Sequence, residues 1–68
     1  MKQWTGYWWG ITDPDSELCG EEFLTALEGA SKEEHEKYVK DLFPFEKTIT
    51  CYGRVTEYEA DMLGLDTY

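Results

Sequence analysis

Basic residues are the scarcest resource of this chain: six Lys and Arg stand against fifteen Asp and Glu, leaving a formal charge of −9. A surface so charged repels phosphate backbones, which excludes direct nucleic-acid binding through Lys and Arg contacts. Long apolar stretches are missing too. Nothing approaches the ~20 residues needed to span a bilayer, and residues 1–20 lack the basic segment plus apolar core of a secretory leader. The expectation is a cytoplasmic protein with no membrane contact.

Chemistry-bearing motifs are equally sparse. There is no G-x-S-x-G, P-loop or G-x-G-x-x-G pattern, so neither an activated serine nor a phosphate cradle is expected. The single histidine, His35, falls on the apolar stripe of a helical segment, where a hydrogen-bonded, half-buried role outweighs a catalytic one. Cys19 and Cys51 form no CxxC pair and read as small buried hydrophobes in a reducing compartment. With His35 they would supply only three soft metal ligands at no motif spacing. Asp13-Pro14-Asp15-Ser16-Glu17 imitates the opening of a calcium loop, but Leu18 replaces the turn glycine and Leu24 the bidentate glutamate. The expectation is therefore no enzyme, no catalytic residue, no metal and no cofactor.

What the chain does have is rings. Aromatics make up 16% of its 68 residues, and each can bury about 150–250 Å², enough to fold a chain this short as one domain, residues 1–68. Gln3 to Ile11 reads as a strand with Thr5, Tyr7, Trp9 and Ile11 on one face and Trp4 and Trp8 on the other. Gly6 and Gly10 flank Trp8 and leave room for rings of a neighbouring strand or a partner. Asp13-Pro14 then predicts a helix start, with Cys19, Phe23, Leu24 and Leu27 as its stripe and Gly29 as its end.

Ser31 and Glu34 form a capping box ahead of the stripe His35, Tyr38, Val39, Leu42, and Pro44 stops that helix. Thr48 to Tyr52 alternates as a half-buried strand that pairs with the first. Thr56 and Glu59 repeat the capping box before a short helix with Val55, Tyr58, Met62 and Leu65 as its apolar stripe. The expected fold is α+β, a two-stranded antiparallel sheet with about three helices in the order β-α-α-β-α. Its uncovered sheet face carries Trp4 and Trp8, joined by Tyr52 of the second strand, and a homodimer or another partner would cover it.

The negative charge is uneven. Residues 13–36 carry −8 and residues 57–68 carry −4, while the remainder is slightly positive. Helix dipoles favour acids in first turns, and Glu33 to Lys37 and Glu36 to Lys40 are spaced as i, i+4 pairs. Asp13, Asp15, Glu17, Glu21 and Glu22 have no basic neighbour and read as an unscreened acidic ridge. Glu57, Glu59, Asp61 and Asp66 make a secondary patch. On a helix, carboxylates one turn apart are spaced about 5–6 Å, comparable to phosphates along a strand.

In size, acidity and lack of motifs the chain resembles the small inhibitors carried by phages and mobile elements, notably anti-CRISPR proteins. That resemblance implies a stoichiometric inhibitor in a bacterial host cell, a nucleic-acid mimic offering its ridge to a basic nucleic-acid-binding effector; it carries over no residue roles. The alternative is a general protein–protein interaction or assembly module in which Trp4 and Trp8 make the contact.

Overall fold

The computed structural model describes residues 4–68; the first three residues, and with them the predicted strand start at Gln3, lie outside that range. Three strands form one antiparallel sheet. They are β1 (Gly6–Ile11), β2 (Glu22–Ala26) and β3 (Ile49–Val55), in the order β2-β1-β3. Helix α1 (Lys32–Leu42) lies between β2 and β3 in the chain, and α2 (Glu57–Leu63) follows β3. The expectation of two strands and three helices is overturned: the segment predicted as the first helix is a stretch of turns followed by β2.

The physical reason is burial on both sides. Phe23, Leu24 and Thr25 are consecutive and all buried, so β2 has no polar face, and a continuous apolar run carries no period that separates strand from helix. Asp13 caps a turn here rather than a helix: its carboxylate accepts from the Asp15 N–H at 3.0 Å, and its carbonyl accepts from the Ser16 N–H. Gly20, at φ 96°, then turns the chain back, and the Ile11 N–H donates to the Glu21 carbonyl as the ladder resumes.

β1 alternates as its sequence demands. Trp9 and Ile11 enter the core with Phe23 and Val39, and Tyr7, Phe43, Ile49 and Cys51 pack around them. The helix over this face is α1, started by the reciprocal Ser31–Glu34 capping box and burying His35 and Val39. β3 pairs with β1 as expected but runs on to Val55. Trp9 opposes Cys51 while Trp8 opposes Gly53, so Tyr52 is the extra residue of a bulge, and Gly53 takes φ 139°, open essentially to glycine.

Tyr52 follows the inward-facing Cys51 and so lies on the Trp8 face, where its ring meets Trp8 edge-on at a centroid distance of 5.4 Å. A Cβ on Gly10 would collide with that ring, and one on Gly6 would collide with Trp4. Gly10 thus makes the room expected for a neighbouring strand's ring, whereas the space at Gly6 is taken by Trp4, two residues before it in the chain.

A short segment after α2 completes the sheet. The Leu24 N–H donates to the Asp66 carbonyl and the Tyr68 N–H to the Leu24 carbonyl, both at 2.8 Å, so residues 66–68 run parallel along the outer edge of β2. The Tyr68 ring packs against Phe23 and Phe43 at 5.5 and 5.9 Å. No helix of the described residues is long and apolar enough to cross a membrane.

Candidate functional site: an acidic loop beside an aromatic face

The five residues of the expected ridge do not share a helix. They occupy the loop between β1 and β2 and the first position of β2. Asp15, Glu17, Glu21 and Glu22 are exposed. Asp13 is only 7% exposed, held in its turn, and is withdrawn from the surface. Glu22 accepts the Trp8 indole N–H at 2.9 Å, which ties one carboxylate to the aromatic face. The 5–6 Å helical spacing proposed for these acids therefore does not apply.

The secondary patch also divides. Glu57, Glu59 and Asp61 lie on α2, which begins just after Val55, the partner of Gly6. The acidic loop follows Ile11 at the other end of β1. Five residue steps at about 3.3 Å put those ends roughly 17 Å apart, beyond the ~10 Å screening length at 0.1 M salt. Asp66 behaves differently: the pairing of residues 66–68 with β2 brings it to one hollow with Glu21 and Glu22. Nothing in the sequence joins residues 21 and 66, because the bridge between them is a backbone pairing.

None of these acids is ion-paired among the described residues. The one salt bridge there links Lys32 to Glu36 at 3.8 Å on α1; the expected Glu33–Lys37 and Glu36–Lys40 pairs are not formed. The loop and its neighbour Asp66 accordingly keep their negative potential.

Beside the loop lies the second face of the sheet. Trp4 and Trp8 are half-buried there, and Leu24, opposite Trp8 on β2, is 1% exposed. Helix α2 has its Thr56–Glu59 capping box and ends at Gly64, φ 64°, as the sequence requires, yet it buries none of its own residues. Tyr58 and Met62 are 73% and 71% exposed, so the middle of the predicted inward stripe faces out, while Val55 ahead of the helix is buried and Leu65 after it half-buried. With Trp8, Val55 and Leu63, Tyr58 and Met62 line a shallow, largely apolar hollow rimmed by Glu59. Sequence reasoning missed Tyr58 and Met62 as surface residues because their spacing equally suits a core, whereas Tyr52, 51% exposed beside Trp8, stands on the face expected for it.

His35 is fully buried, deeper than the half-buried position expected. Trp9 Nε1–H donates to Thr25 Oγ1 at 2.9 Å, which leaves the Thr25 hydroxyl proton for His35 Nδ1 at 2.7 Å. The Nε2–H then faces Thr5 Oγ1 at 3.2 Å, and the Thr5 hydroxyl donates to the Leu27 carbonyl. This order satisfies every donor only for a neutral imidazole. Burial accordingly pushes the His35 pKa below its ordinary 6.5, against a smaller upward pull from Glu34. Both ring nitrogens are engaged, so the histidine offers neither a base nor a ligand at the surface.

Cys19 is exposed on the loop, correcting its expected burial, whereas Cys51 is half-buried against the core; both thiols are free. Among the described residues no group of three or more His, Cys, Asp or Glu is arranged to hold a metal ion. Comparison with protein-family models, with curated proteins and with solved structures finds no match to the chain.

Proposed function

We propose that the chain is a non-catalytic binding protein, a stoichiometric inhibitor of the anti-CRISPR type that presents an acidic surface to a basic, nucleic-acid-binding effector in the bacterial cytoplasm. The observation that carries this reading is the exposed loop acids Asp15, Glu17, Glu21 and Glu22, without an ion pair among the described residues, with Asp66 brought to Glu21 and Glu22 by the pairing of residues 66–68. Its basis is the summed potential of a flexible-side-chain surface, not a copy of phosphate spacing. Such a potential steers a cationic groove toward the loop and weakens as salt rises.

The test is capture of the effector by the immobilised protein at low and at moderate salt, with Asp15→Lys, Glu17→Lys, Glu21→Lys and Asp66→Lys combined. All four side chains are exposed, so the variant keeps its fold by circular dichroism. Binding is expected to fall steeply with salt and to vanish in the variant. Unchanged binding by the folded variant removes the proposal.

A second reading has its own observation, the outward-facing Tyr58 and Met62 next to Trp8 and Tyr52. In that reading the aromatic face is the contact, in an assembly module or a homodimer, and acidity serves solubility. β1 contributes through this face alone, since both of its edges are occupied by β2 and β3. Contact there would depend weakly on salt, and light scattering after size exclusion would register a dimer directly.

A further inference from the structure

The Trp8 indole joins two regions that the sequence keeps apart. On one side its N–H donates to Glu22 Oε1 at 2.9 Å, where the acidic loop enters β2. On the other its ring lines the hollow between the sheet and α2 with Val55, Tyr58, Met62 and Leu63, and Glu59 stands at the rim. Register sets Glu22 level with Gly10 and Val55 level with Gly6, so the two ends of this surface are about 13 Å apart along β1. No Lys or Arg lines the hollow.

Both bordering carboxylates are held in place. Glu22 is oriented by the Trp8 N–H, and Glu59 by the Thr56 N–H of its capping box at 3.1 Å. In each the bond is taken by Oε1, and Oε2 has no hydrogen-bond or ion-pair partner among the described residues. An acceptor fixed in advance loses less freedom when a cation arrives. A second copy seated on this face would set Glu22 and Glu59 against their own counterparts in a chain of charge −9, so the surface is complementary to cations and not to itself. An added strand finds no edge here, because β1 is flanked by β2 and β3. A helix satisfies its own backbone and needs only an apolar stripe to meet such a face; two to three turns, at about 5.4 Å each, cover its length.

We propose that this face receives a basic amphipathic helix of the effector, with its apolar stripe on Trp8, Tyr58 and Met62 and a Lys or Arg at each end on Glu22 and Glu59. The proposal rests on the inhibitor reading for the positive charge of the partner. It adds that the acidic loop and the aromatic face are one docking surface, joined at Trp8.

The probe is a synthetic peptide of about twelve residues, built of leucine and lysine with every leucine on one helical face, titrated into the full chain labelled for nuclear magnetic resonance. Saturable shifts are expected at the Trp8 indole N–H and at the amides of Tyr58 and Met62. A peptide of the same composition with its leucines distributed round the helix is expected to bind about tenfold more weakly, and so is the original peptide to the Tyr58→Ser, Met62→Ser variant. Glu59→Gln, which keeps the capping box, should weaken binding about two- to fivefold at low salt. Tyr58, Glu59 and Met62 are exposed, and unchanged amide spectra away from α2 verify the fold of the variants. Equal affinity for the two peptides overturns the proposal. So do shifts confined to residues 15–21, which would leave the acidic loop as the sole contact. A doubled mass of the free chain in light scattering, abolished by Tyr58→Ser with Met62→Ser, overturns it in favour of a second copy. Effector capture that survives charge reversal of the loop removes the inhibitor reading instead, and the comparison of the two peptides decides the helix site in either case.

Discussion

The two faces of the sheet are each associated with a capped helix, and the helices do opposite things. α1 buries His35 and Val39 over Trp9, Ile11 and Phe23, and a continuous hydrogen-bond chain runs from the Trp9 indole to the Leu27 carbonyl. α2 is started by an equally complete capping box but buries none of its residues, leaving Tyr58 and Met62 in water beside Trp8. Capping therefore decides where a helix begins, and the apolar surface beneath it decides whether it becomes core. One face of the sheet is sealed by its helix, and on the other Tyr58 and Met62 stay open to solvent.

The adjacent tryptophans separate the two roles most sharply. Trp9→Ala empties the core and is expected to cost about 3–5 kcal/mol, close to the whole stability of a domain this small, so urea melts should show little or no folded protein. Trp8→Ala should leave a cooperative transition. Equal losses at the two positions would abolish the distinction between the faces.

Thr25→Val comes next. It keeps the shape but removes the hydroxyl between the Trp9 indole and His35 Nδ1, at an expected cost of about 1–3 kcal/mol by denaturant melt. The same chain predicts a pH dependence. Because the folded His35 has a depressed pKa, the unfolded chain takes up its proton first as pH falls below 6.5, so the stability that neutral His35 contributes is present above that value and is lost below it. The stability gap between the wild type and His35→Gln should accordingly shrink as pH drops through 6.5. A constant gap would mean that His35 titrates alike in the folded and the unfolded chain.

The smallest effect belongs to the open face. Tyr58→Ser with Met62→Ser should change stability by no more than about 0.5 kcal/mol per site, while removing any dimer or apolar partner contact seen by light scattering. A large destabilisation would turn α2 into a core element after all.

What the sequence disclosed follows the same division. β1 was legible because its segment is dense in β-forming residues that alternate between two faces, and both capping boxes were legible because Ser31–Glu34 and Thr56–Glu59 are local chemistry. β2 was not, since Phe23, Leu24 and Thr25 are buried on both sides, and Cys19, Phe23 and Leu27 fall by coincidence at helical intervals. The β3 bulge hid behind Gly53, where alternation breaks. The acidic residues were identifiable one by one, but their grouping depended on that false helix, and the approach of Asp66 to Glu21 and Glu22 rests on backbone pairing.

Residues 66–68 carry a practical consequence. By pairing with β2 they cover its outer edge at Leu24 and Ala26, while β3 forms the opposite border of the sheet. Cleavage before Asp66, or a bulky fusion that pulls this segment away, would open a second border and invite strand-to-strand polymerisation. Affinity handles for this protein are better placed ahead of Trp4.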